Sequence, residues 1–129
     1  MVSVKSPAFD LAKIIANESE FGLELQANLF VSLLPDNPTN CVAFLDSGGF
    51  ANQTNYTYER STVQMLVRDD NYEQAYKLAL DLMRFLNGQH NVAINDSRYT
   101  MIRAMNTPLH IPDNNKKALI SVNFLIHRC

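Results

Sequence analysis

Between Tyr58 and Gly88 the apolar residues change period, and that change constrains the fold more than any other stretch of the chain. From Tyr58 to Arg68 the pattern alternates, with Val63, Met65 and Val67 on one side and Thr62, Gln64 and Arg68 on the other. This is the period-two signature of a strand with one buried face. Tyr72, Ala75, Tyr76, Ala79, Leu82, Met83 and Leu86 then recur at spacings of three and four. That stripe predicts a helix packed along a sheet, with both tyrosines in its core. Asp70 reads as its cap, Glu73 as the partner in a capping box, and Asn87-Gly88 as its stop. A helix this broad on its apolar side requires a sheet beneath it, so the other apolar runs are read for strands.

Ser6-Pro7 followed by Ala8, Phe9, Leu11, Ala12, Ile14 and Ile15 predicts a helix over about residues 7–19. Gln26 to Leu34 is a strand candidate closed by the turn Pro35-Asp36-Asn37-Pro38, and Cys41 to Asp46 is a second one stopped by Ser47-Gly48-Gly49. The polar stretch from Asp46 to Thr57 reads as a projecting surface loop. Two further strands are expected, from Tyr99 to Asn106 and from Lys117 to His127. In the latter, Ile120, Val122, Phe124 and Ile126 alternate with polar positions. The order α-β-β-β-α-β-β predicts an α+β domain spanning residues 1–129, with a single mainly antiparallel sheet and two helices packed on one face. Such a sheet leaves edges that must be paired, covered or guarded, and joining copies edge to edge would do so.

Composition narrows the function. With 129 residues, 47% of them hydrophobic and 19% charged, the chain is neither disordered nor a low-complexity linker. A formal net charge of −2 lacks the basic excess of a duplex-binding domain, so no specific nucleic-acid partner is expected. No signal-peptide pattern opens the sequence and no segment has the apolar length of a membrane span, which predicts a soluble protein made in the cytoplasm. Charge is polarised along the chain. Residues 1–40 carry two basic and five acidic groups, whereas residues 88–129 carry five basic and two acidic. An acidic surface of one copy can therefore meet a basic surface of another.

No residue pattern demands chemistry. His90, His110 and His127 form no frame with a nucleophile and an orienting acid, and Ser47-Gly48-Gly49 is not a nucleophile elbow. Cys41 and Cys129 have no zinc or redox spacing. Asp69-Asp70 is the one tight acidic pair, and helix capping accounts for it. The expectation is a non-enzyme without catalytic residues, cofactor or metal. A small nucleotide- or metal-using enzyme stands as the reading to be displaced.

Three segments carry a resemblance. They are LPDNPTNCVAFLDSGG (Leu34 to Gly49), VQMLVRDDNYEQAYKLALDLMRFLNG (Val63 to Gly88) and YTMIRAMNTPLHIPDNNKKALISVNFLIHR (Tyr99 to Arg128), together more than half the chain. In this order they resemble the minor capsid or tail-completion proteins of long-tailed bacteriophages, a group that includes tail terminators and neck joining proteins. The family pattern favours an arginine shortly after the loop Asp. This chain instead has Lys116 and Lys117 following Asp113, and lysine cannot make a bidentate arginine contact.

The resemblance implies a structural virion protein that forms a ring, commonly a hexamer, at the end of the tail tube. Its partners would be further copies of itself, the tail tube protein and the head–tail connector, with no membrane involved. A neck or head-completion protein is the alternative. The expected interface residues are Asp46, Phe50, Asn52 and Tyr56 of the loop, with Arg68, Asp113, Lys116 and Lys117. Arg68 and either Lys116 or Lys117 are expected to meet acidic positions such as Glu18, Glu20 or Glu24 of the next copy.

Overall fold

The computed structural model describes residues 5–50, 59–95, 97–111 and 117–128. Helix α1 spans Pro7–Ala16 and a 3-10 turn follows at Ser19–Phe21. Three strands come next, β1 (Leu29–Val31), β2 (Cys41–Phe50) and β3 (Glu59–Asp69). Helix α2 (Tyr72–Leu86) leads to β4 (Val92–Ile94), β5 (Ser97–Ala104), β6 (Leu109–Ile111) and β7 (Ala118–Arg128). The fold is α+β, as expected. The seven strands lie in the order β1-β2-β3-β7-β5-β4, with β6 on β7 beside the end of β5. β1 and β2 run parallel and every other pair is antiparallel.

Two of the seven strands, β4 and β6, escape the sequence pattern because three residues are too few to show a period. The predicted strand over 26–34 shrinks to Leu29–Val31, since Gln26 and Ser32 adopt left-handed backbone angles that break it on both sides. Conversely, the predicted loop from Asp46 begins as strand. β2 continues to Phe50 through a bulge at which Asp46 pairs with Val63 and Gly49 with Ser61. Gly48, at φ +88°, takes up the extra residue without a Cβ penalty. Residues 51–57 of that loop lie outside the described residues.

Both helices cover the same sheet face. Ala8, Leu11, Ala12 and Ile15 of α1 and Ala75, Ala79, Leu82 and Leu86 of α2 are buried against Val63, Met65, Val67, Ile120, Val122, Phe124 and Ile126. Each fully buried aliphatic or aromatic side chain there contributes ~1.5–3 kcal/mol, so this layer supplies most of the burial. Asn71, not Asp70, caps α2: its Oδ1 accepts the Gln74 N–H at 3.2 Å, while Asp69 Oδ1 accepts the Asn71 N–H at 2.8 Å. Tyr72 leaves the core. As the first residue of α2 it is 44% exposed, stacks on Tyr76 and meets the ring of His110 on β6 edge-on at 5.3 Å. A smaller apolar cluster of Ala43, Leu66 and Leu119 lies on the outer face, covered by Phe30, Leu34, Leu45 and Ile111.

Candidate interaction surface

The buried charges serve the fold. Asp10 is fully buried on α1 and accepts hydrogen bonds from the Tyr99 hydroxyl and from Asn95 Nδ2 at 2.9 Å. Arg128 Nη1 lies 3.5 Å from Asp10 Oδ2, the oxygen that also accepts from Tyr99, and donates to the Lys5 carbonyl at 2.6 Å. Burial pushes the Asp10 carboxyl above its ordinary value, against the lowering pull of Tyr99, Asn95 and Arg128. Burial, then the adjoining Asp10, pushes the Tyr99 phenol up as well. The group ties the start of α1 to the ends of β5 and β7. Among the described residues, no three His, Cys, Asp or Glu side chains converge as metal ligands would.

Arg68 is a further buried charge, 6% exposed. Its guanidinium donates to the carbonyls of Thr39 at 2.8 Å, Pro38 at 3.1 Å and Pro35, and lies 3.6 Å from the Cys41 sulfur. Burial raises the Cys41 thiol pKa, and the neighbouring guanidinium partly offsets this. Three carbonyls from one turn thus converge on one cation. Arg68 fastens residues 35–40 to the sheet and does not face outward, as an intersubunit role requires. Lys117 is likewise engaged within the chain, 2.5 Å from Asp70 Oδ1. Asp46 is exposed on β2, and its Oδ1 accepts the Ala8 N–H at 2.9 Å. Phe50 ends β2, and its side chain, with Asn52, Tyr56, Asp113 and Lys116, lies outside the described residues.

The outer face of the sheet offers the surface that the sequence pattern left scattered. Register places Arg60, His127 and Met101 in one cross-strand row and Thr62, Leu125 and Arg103 in the next. Arg60 and Arg103 are exposed. Burial first, then these two guanidinium groups, hold the His127 imidazole pKa below its usual value. Beside the rows opens a cleft of about 500 Å³ lined by Ser47, Thr62, Asn123, Asn106, Met105 and Leu109. Met105 and Leu109 stand 56% and 59% exposed on its wall. Asn106 fixes that wall: its Oδ1 accepts the Asn123 N–H at 2.8 Å and its Nδ2 donates to the Thr107 carbonyl at 2.7 Å.

The strand edge beside this face is also open in part. β1 pairs only with Val42 to Phe44 of β2, so beyond Phe44 the described residues place no second strand against β2. An open edge, a cleft with an apolar wall and two exposed guanidinium groups on adjacent rows suit contact with another macromolecule better than conversion of a small substrate.

A family model described as bacteriophage tail terminator protein matches residues 13–127. The match covers nearly the whole fold, and the chain belongs to that family: it is a structural protein of a phage tail and hence a virion component. No curated protein matches the chain. Within the described residues, no helix is long and apolar enough to cross a membrane.

Proposed function

We propose that the protein closes the end of the phage tail tube as a ring of identical copies, a hexamer, that halts tube growth and presents a face to the head–tail connector. Membership of the tail terminator family, over residues 13–127, carries this reading. The surface described above supports it, because a ring needs two different patches on each copy and the chain has candidates for both. Asp46 on β2, with Phe50, Asn52, Tyr56, Asp113 and Lys116, is proposed for the contacts with tube and connector. The protein acts through these surfaces and makes no bonds.

The test is a phage that lacks the gene. Tails of uncontrolled length in its lysates, restored to one length by the supplied protein, are expected. Tails of normal length lying beside unjoined heads would instead identify a neck protein.

A further inference from the structure

The segment following α1 is acidic and rigidly presented. Glu20 and Glu24 are exposed and Glu18 is half-buried, and among the described residues none of the three forms an ion pair. Asn28 locks the backbone between them, its Oδ1 accepting the Glu24 N–H at 2.7 Å and its Nδ2 donating to the Gly22 carbonyl at 3.1 Å. Phe21 anchors the corner by packing edge-on against Phe85 of α2, with ring centroids 5.5 Å apart. The corner therefore belongs to the helix layer, on the opposite side of the sheet from Arg60, His127 and Arg103.

We infer that the outer sheet face of one copy, through Arg60 and Arg103 and the adjoining Met105–Leu109 wall, receives the Glu18–Glu24 corner of the next copy. This rests on the ring reading and assigns its subunit contact. Three observations select a second copy as the occupant. The two patches are opposite in charge, and both are carried by every chain. Each is held on a fixed backbone, one by Asn28 and the other by Asn106, so little ordering entropy opposes docking. They lie on opposite layers, so the contact is head-to-tail and cannot satisfy itself in a twofold dimer.

The test is a charge swap on the intact protein, using Arg103→Glu, Glu20→Lys and the double variant that carries both. Both sites are on the exposed surface, and circular dichroism and thermal unfolding check that folding is unaltered. Self-association is read by sedimentation at low and high ionic strength. Wild type is expected to assemble at low salt, each single variant to weaken assembly roughly tenfold, and the double variant to recover it. An equimolar mixture of the two single variants is also expected to assemble, since each then finds its complement in the other. Assembly unchanged by either single variant, or lost in the double variant, overturns the assignment and leaves the ring intact. A wild-type protein that stays monomeric in low salt also overturns it, while the tail-length phenotype still decides the proposed function. So does salt-sensitive binding of duplex DNA through Arg103 without self-association, which would make a polyanion the occupant of this face.

Discussion

The carboxylate of Asp46, on β2, accepts the backbone N–H of Ala8 at 2.9 Å and so caps the first turn of α1 from 38 positions away. Ser6 Oγ takes a second donor of the same turn, from Phe9 at 3.2 Å. Between them they satisfy N–H groups that the helix leaves without partners, and the negative charge of Asp46 sits at the positive end of the helix dipole. A residue that composition alone would assign to a loop surface is thereby also part of the joint between the helix layer and the sheet.

Asp46→Ala is accordingly expected to destabilise the fold by about 1 kcal/mol, and Asp46→Asn by less, because the amide oxygen keeps the hydrogen bond and loses only the charge. Urea unfolding of the three proteins checks the order. Equal stability of wild type and the alanine variant would show that the cap contributes nothing.

Arg68 should behave as a structural cation. Arg68→Leu removes the donor shared by the carbonyls of Thr39, Pro38 and Pro35 and is expected to cost about 3 kcal/mol, with Arg68→Lys intermediate because one ammonium cannot reproduce the spread guanidinium. Chemical denaturation measures the loss. A leucine variant as stable as wild type would return Arg68 to the list of surface contacts.

The Asp10 group predicts a pH dependence with a definite sign. Its carboxyl pKa in the folded protein lies above the ordinary 3.8, so the folded state binds the proton more tightly than the unfolded chain. The corresponding stability is fully present below 3.8 and is lost as pH rises through the raised folded value. Asp10→Asn cannot titrate and lacks this slope. The stability difference between wild type and the asparagine variant should therefore shift in favour of wild type as pH falls through that window. A difference that stays constant from neutral pH into the acidic range would mean that Asp10 does not titrate as its burial demands.

Much of the fold is legible in the sequence, for a physical reason. β3, α2 and β7 each run for eleven or more residues, long enough to display their period against a single buried face. The interaction surface was not legible. Arg60, Arg103 and His127 are polar-side residues of three strands, and nothing in the chain order says that β7 lies between β3 and β5. Arg68 misled for a related reason. It occupies the outward side of an alternating strand, where a cation normally meets water, but residues 35–40 fold over it and supply carbonyls in place of solvent. Alternation reports which side of a strand a residue is on and cannot report what later covers that side. Asp46 shows the converse case, a residue picked out for contacts outside the chain that also has a partner within it.

The cleft wall offers a final test of how the surface is held. Asn106 joins the turn between β5 and β6 to β7 through the Asn123 N–H, and it bridges to the Thr107 and Ser121 carbonyls at 2.7 and 3.4 Å. Asn106→Ala leaves the Asn123 donor without its partner, an expected cost of about 1–2 kcal/mol. The larger effect should be local. Met105 and Leu109 stand mostly exposed, with little packing of their own to hold the turn. Amide hydrogen exchange is therefore expected to speed up across residues 105–109 and at Asn123, while Val63 and Ile120 in the buried layer keep their protection. Uniform acceleration over the whole sheet would instead mean that Asn106 supports the global fold, and that the wall owes its shape to the strands beneath it.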